Sequence, residues 1–220
     1  MLDFNNEEQQ RVRAYGPVPA GSRVLLRMEL MKPQFADTDH AYVQLALSGL
    51  RGLWVEFTVL SGTYEGVKWR ENVWLPKGMQ NVSLSEGQAK GCNMWGARLK
   101  AILESASGIS PKDDSPKASR ARQTQDWLDF HGVEFPAAVG ISNKPYTGKD
   151  GNTYWNNALS RIVTADDKDY RALMDGAEII TDGPVVGKGD TAQRSEPEAS
   201  TGDVPPWGDI PPPDDSDIPF

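Results

Sequence analysis

Residues 52–75 read GLWVEFTVLSGTYEGVKWRENVWL, and this stretch decides the fold class. Leu53, Val55, Phe57 and Val59 alternate with Trp54, Glu56 and Thr58, the period-2 pattern of a strand with one buried face. SGTYEG follows at 61–66, with glycines where a hairpin turn needs them. Val67 to Leu75 then alternates again. Lys68, Arg70, Asn72 and Trp74 fall on one face; Val67, Trp69, Val73 and Leu75 fall on the other, with Glu71 a misfit among them. A one-residue bulge at Glu71 would exchange the faces of part of that strand.

Working outward, Val24, Leu26, Met28 and Leu30 share one face of an earlier strand, with Arg27 and Glu29 opposite. FADTDH reads as a loop, and Tyr42 to Leu47 is a second apolar run. Downstream, SEGQ at 85–88 has capping-box spacing, with Ser85 at N-cap and Gln88 at N3. Cys92, Trp95, Leu99, Ile102, Leu103 and Ala106 continue it at helical spacing. SGISPKDDSPKAS is a polar loop, and a shorter helix is expected over about Ala121 to Phe130. Strands are expected at Val133–Ile141 and Asn152–Val163, joined by the turn-rich SNKPYTGKDGN. Residues 166–182 give no clear pattern. Three strands, a helix and two strands predict a mainly β protein: a five-stranded OB-fold barrel with a helix between strands 3 and 4, a fold that binds oligonucleotides on its strand 2–3 face and loops.

The chain has 220 residues and a formal net charge of −8. The acidity is uneven: residues 181–220 hold nine Asp/Glu and two Lys/Arg, which leaves about −1 for the rest. A near-neutral body can carry a local basic face while the acid sits in a tail. Eight of the 16 prolines also lie in 181–220. That composition cannot bury enough apolar area to offset chain entropy, so a disordered tail is expected from 183. The division is a polar leader at 1–16, a folded domain at 17–182 and the acidic tail at 183–220. Cys92 is the single cysteine, so no intramolecular disulfide or cysteine metal cluster is expected. The N-terminus lacks an apolar signal segment and no window suits a membrane span, so a cytoplasmic protein with no membrane partner is expected.

The chain ends PWGDIPPPDDSDIPF, residues 206–220. This resembles the acidic C-terminal peptide of bacterial single-stranded DNA-binding proteins, matched here by Asp214, Asp215, Asp217, Ile218, Pro219 and Phe220. The chemistry is coherent with partner docking: an apolar anchor in Phe220, carboxylates suited to a rim of Arg and Lys, and a proline that lowers the ordering cost. The body resembles phage-encoded single-stranded DNA-binding proteins over roughly residues 17–165. VPAGSRVLLRMELMKP is similar to that family's opening strand, residues 52–75 to its second and third, and the helix from Ser85 and VEFPAAVGI continue the likeness. Segment 35–50 is longer than the family's first inter-strand loop. The resemblance implies sequence-independent strand binding and protection in phage DNA replication, recombination or repair inside a bacterial cell, with the C-terminal tip recruiting replication and recombination proteins.

Sequence-tolerant strand binding needs cations for phosphates and flat rings for bases. Seven tryptophans and six tyrosines supply rings. The candidate DNA-contact set is Arg27, Trp54, Lys68, Arg70 and Trp74 on the strands, with Lys144, Tyr146, Lys149 and Tyr154 at the later hairpin. Trp69, Trp95 and Trp155 fall on apolar faces and are assigned to the core, as is Cys92. Strand aromatics also serve cross-strand packing, and strand cations also form ordinary solvated faces. No catalytic set emerges: His40 and His131 are joined by no motif, DTDH at 37–40 is read as a solvated loop, and no phosphate-binding loop occurs. No enzyme, metal or cofactor is expected. A homodimer is compatible with the sequence. The alternative readings are a tail-mediated decoy that occupies host repair enzymes, and an acidic DNA mimic, which a near-neutral body disfavours.

Overall fold

A computed structural model describes residues 17–184 apart from 38–39, 143–145 and 148–152; of residues 146–147 and 153–154 it describes the backbone. The leader at 1–16 and the tail from 185 onward lie outside the described residues.

Alternation builds the core strand by strand. β1 (Arg23–Leu30) turns Val24, Leu26, Met28 and Leu30 inward, all buried. β3 (Arg51–Val59) turns in Leu53, Val55, Phe57 and Val59. β4 (Lys68–Trp74) contributes Trp69 and Val73. β3 and β4 run antiparallel in unbroken register from Gly52↔Trp74 to Thr58↔Lys68, so no bulge occurs at Glu71. β1 lies between β3 and β5 (Val133–Ile141), with Leu26 opposite Val59 on one side and Phe135 on the other. β5 pairs β8 (Asn157–Ile162) through a register shift at Ala138/Val139.

β2 (Val43–Leu45) takes over from β1 along the start of β3, with Val43 opposite Leu53. The long segment at 35–50 therefore adds a short strand rather than a plain loop. β6 (Tyr146–Thr147) and β7 (Thr153–Tyr154) form a separate two-stranded hairpin. The expected strand from Asn152 is thus two elements, interrupted at Trp155–Asn156, and β8 begins at Asn157.

The main sheet has six antiparallel strands in the order β2-β3-β1-β5-β8, with β4 on β3. Its two ends, β4 and β8, share no backbone ladder among the described residues, so the mainly β expectation holds while the sheet itself is not closed. Glu71 lies at this seam, and its position explains the misfit in the sequence pattern. Its Oε1 accepts hydrogen bonds from the Leu159 backbone N–H of β8 and the Trp69 indole N–H. The residue is half-buried along its length, but its carboxyl group is enclosed, and burial pushes its pKa up against the pull of those two donors.

α1 (Glu86–Ala106) starts at the expected capping box, with both the Ser85 and Gln88 side-chain bonds made. It packs Trp95, Leu99 and Ile102 into the core. Cys92 is buried on the same helix, so burial holds its thiol in the neutral form by raising the pKa. In the core, Phe57 meets Trp69 at 5.7 Å and Phe135 edge-on at 6.3 Å between centroids. The expected helix over Ala121–Phe130 is instead α2 (Pro116–Ala121) followed by a single 3-10 turn at Trp127–Phe130. Ser115 caps α2 with Pro116 in its first turn, and Asp126 starts the 3-10 turn with its own capping box, so two local start signals divide the segment. Glu104, buried on α1, binds Arg122 at 2.6 Å and ties α2 down.

Residues 164–184 are part of the fold. α3 (Tyr170–Met174) buries Leu173, Arg23 bridges Asp169 at 2.7 Å, and Arg23 and Ile179 exchange backbone hydrogen bonds. Among the described residues, no helix is long and apolar enough to cross a membrane.

Candidate nucleic-acid interface

The outer face of β1, β3 and β4 is set by the same alternation that fills the core, and its rungs follow from the register. One rung carries Lys68, Thr58, Arg27 and Glu134. The next carries Arg70, Glu56 and Glu29. Then come Asn72 opposite Trp54, and finally Trp74 opposite Gly52 with Gln44 beyond it on β2. The five strand residues singled out in the sequence, Arg27, Trp54, Lys68, Arg70 and Trp74, are therefore brought onto one surface.

Both rings on this surface are partly buried, Trp74 also packing against the core, while Trp69 and Trp95 are buried in the core as expected. Gly52 explains how Trp74 sits. A Cβ at Gly52 would lie 3.1 Å from Trp74 Cε3, so the missing side chain lets the indole lie close over the β3 backbone. Trp54 stands diagonally across the strand pair, within the roughly 7–8 Å that long aromatic side chains can bridge. Among the described residues the ring–ring contacts involve other pairs, so Trp54 and Trp74 do not stack on each other. Trp155 departs from expectation: it is 38% exposed, because the strand break beside it resets the inward and outward alternation.

The structure adds three carboxylates that the sequence set left out. Lys68 Nζ binds Glu56 Oε1 at 2.8 Å and lies 4.0 Å from Glu29. Arg70 Nε donates to Glu56 Oε2 at 2.9 Å. Arg27 donates twice to Glu134 Oε1, from Nη2 at 2.6 Å and Nε at 3.1 Å. The Lys68 ammonium hydrogen-bonds Glu56 and, with Arg70, holds its carboxyl below the usual carboxylate range, although partial burial opposes this. The cations are thus tied to carboxylates of neighbouring strands and charge-balanced, with the Arg70 Nη groups free of protein partners among the described residues. Alternation already put Glu56 beside Trp54; the signal lay in the cross-strand register, which brings it opposite Arg70.

Tyr146 and Tyr154 are backbone register partners in the β6–β7 hairpin, a two-stranded sheet separate from the main one. Lys144 and Lys149 lie outside the described residues, as do Asp214, Asp215, Asp217, Ile218, Pro219 and Phe220. Asp37 of the DTDH segment pairs with Arg51 at 2.6 Å, and His131 Nδ1 accepts the Leu30 N–H at 3.0 Å, so both serve the fold. Among the described residues, no cluster of three or more His, Cys, Asp or Glu could hold a metal ion. Compared with known proteins, the chain matches no family model and no curated sequence.

Proposed function

We propose that this chain binds single-stranded DNA without strict sequence preference and protects it during phage replication, recombination or repair, while its C-terminal tip recruits partner proteins. The proposed domain is OB-like: the strand order supports this, with the Glu71 link standing where backbone pairing between β4 and β8 would complete a barrel. One observation carries the reading: an indole lying over Gly52 with a second indole diagonal to it, on the same face as Arg27, Lys68 and Arg70. A partly exposed ring held against a sheet offers a preorganised surface to a base, and every base has a π-face.

The cations would meet phosphates by exchanging or sharing their carboxylate partners, which makes them weaker than free lysines but already positioned. Surface pairs of this kind contribute only about 0–1 kcal/mol, so a phosphate can displace them at modest cost. The hairpin residues Lys144, Tyr146, Lys149 and Tyr154 would extend the track, and Asp214 to Phe220 would dock a partner carrying a basic, apolar pocket. The test is Trp74→Ala: a folded variant should lose strand affinity by about 1–3 kcal/mol, and an unchanged affinity would remove the ring from the site. The tail sequence supports a second reading, a decoy that occupies host repair enzymes. Strand binding by the intact chain separates the two.

A further inference from the structure

Eight large hydrophobic side chains are exposed among the described residues, and five of them gather at one place: Phe35, Leu45, Leu47, Met79 and Val82. Contacts along the chain bring them together. The Phe35 carbonyl accepts the Leu45 N–H at 3.0 Å. Leu45 is the register partner of Arg51, whose Nη1 donates to the Met79 carbonyl at 3.1 Å. Leu47 stands in the turn between β2 and β3 and is 72% exposed. A Cβ at Gly49 of that turn would lie 2.7 Å from Val82 Cγ1. Alternation explains Leu45: it shares the face of the buried Val43 but lies further along β2, past the core. Single exposed apolar residues are ordinary, whereas a cluster of them marks a contact surface.

The flank of this cluster is cationic. Lys32 lies three residues before Phe35, and Lys77 opens the 3-10 turn Lys77–Met79. Both are exposed, and among the described residues neither forms an ion pair. On the outer face, by contrast, Arg27, Lys68 and Arg70 each already hold a carboxylate. Arg51, within the cluster, is likewise engaged by Asp37. Unpaired positive charge therefore sits beside the apolar cluster and not on the ring-bearing face.

One segment of this chain has the matching chemistry. Asp214, Asp215 and Asp217 stand directly before or beside Ile218, Pro219 and Phe220, acids for the lysines and apolar side chains for the cluster. Length permits the contact. The described domain ends at Pro184, whose carbonyl accepts the Ala20 N–H near the start of β1. The cluster lies past the other end of β1: its eight residues, and the four by which β3 runs on from Val55 to Arg51, span roughly 40 Å. Residues 185–213 supply 29 residues, a reach of up to roughly 100 Å.

We propose that residues 214–220 dock on this cluster of their own chain, with Ile218 and Phe220 against the apolar side chains and the aspartates toward Lys32 and Lys77. The inference goes beyond the strand-binding reading and does not depend on it. Tethering supplies an effective concentration of up to the order of 1 mM, so a contact of about millimolar affinity is enough to populate the docked state. A docked tip cannot engage a partner at the same time. The cluster then holds the recruiting peptide in reserve, and a partner must bind it more tightly than the tethered contact does.

The test uses the full chain with a photoreactive benzophenone side chain in place of Phe220, irradiated at low protein concentration, with crosslinks mapped by mass spectrometry. Crosslinks should form within one chain and fall at residues 32–51 and 77–82. Leu47→Glu places a charge at an exposed turn position, so the fold is retained, and it should cut their yield several-fold. Lys32→Glu/Lys77→Glu should do the same by repelling the aspartates. Crosslinks to the outer face around Trp54, Lys68 and Arg70, crosslinks between chains as the main product, no crosslinks at all, or a yield unchanged by Leu47→Glu would each overturn the inference and leave the strand-binding reading standing.

Discussion

Glu71 offers a sharp test of how the sheet is held together. Its Oε1 is the acceptor for two donors on two elements, the Leu159 backbone N–H and the Trp69 indole N–H. Glu71→Ala leaves both without a partner in a largely enclosed setting. Each orphaned donor costs about 1–3 kcal/mol, and because they share one site the combined loss should be about 2–4 kcal/mol. For a domain of this size, that lowers Tm by roughly 5–15 °C. Glu71→Gln keeps the acceptor and removes the charge that burial disfavours, so at neutral pH it should be at least as stable as wild type. The sign follows from the direction of the shift. Burial raises the folded pKa of Glu71 above its unfolded value, so its contribution is complete at acid pH and declines as pH rises through the folded pKa. The advantage of Glu71→Gln over wild type should therefore be largest at neutral pH and vanish on acidification. Arg98 of α1 is the charged neighbour that moderates this; burial lowers its own pKa, and the Glu71 carboxylate opposes that shift. Thermal melts of the three proteins across pH decide the matter. Equal stability of Glu71→Ala and Glu71→Gln would refute the reasoning, because it would show that the acceptor is dispensable.

Other predictions concern the face and the tail. Glu56→Gln frees Lys68 and Arg70 for phosphate; strand binding should tighten, and the log–log salt slope should steepen by about 0.7 per charge released, read from titrations at several salt concentrations. The same pairing makes wild-type stability at this site present above the ordinary carboxylate range and lost as pH falls through the depressed Glu56 pKa, an effect that salt should reduce. Gly52→Val places a branched side chain where Trp74 now lies; it should weaken strand binding to a degree comparable with Trp74→Ala, and a competition assay on the folded variant checks this. Deleting residues 212–220 should abolish partner capture and, if the acids compete for the face, tighten strand binding, with a pull-down and a titration giving the two readouts.

Long, regular elements were legible in the sequence because their signal is local. The alternation of β1, β3 and β5 and the Ser85–Gln88 capping box need only neighbouring residues to be recognised. What escaped was fixed by distant partners. β2 spans three residues, too short for a period, and exists because β3 extends beyond the end of β1. Residues 166–182 carry no clean pattern, yet Arg23, Asp169 and Ile179 stitch them to the first strand. Alternation carried across the strand break puts Trp155 on the buried face, whereas the break leaves it exposed. At the candidate site, the choice of rings and cations followed from strand parity, but their carboxylate partners and the role of Gly52 required the β3–β4 register. Glu71 looked like an error in the pattern and is the polar link between β4 and β8.

The central claim is that bases lie against Trp54 and Trp74. Titrating the full chain and the Trp54→Ala/Trp74→Ala double variant with oligo-dT, with anisotropy of a labelled strand as the readout, tests it most directly. The account predicts saturable binding by the wild type and a loss of about 2–6 kcal/mol in the folded double variant, on the basis of about 1–3 kcal/mol per stacked base. Equal affinity of the two proteins for the strand would contradict it.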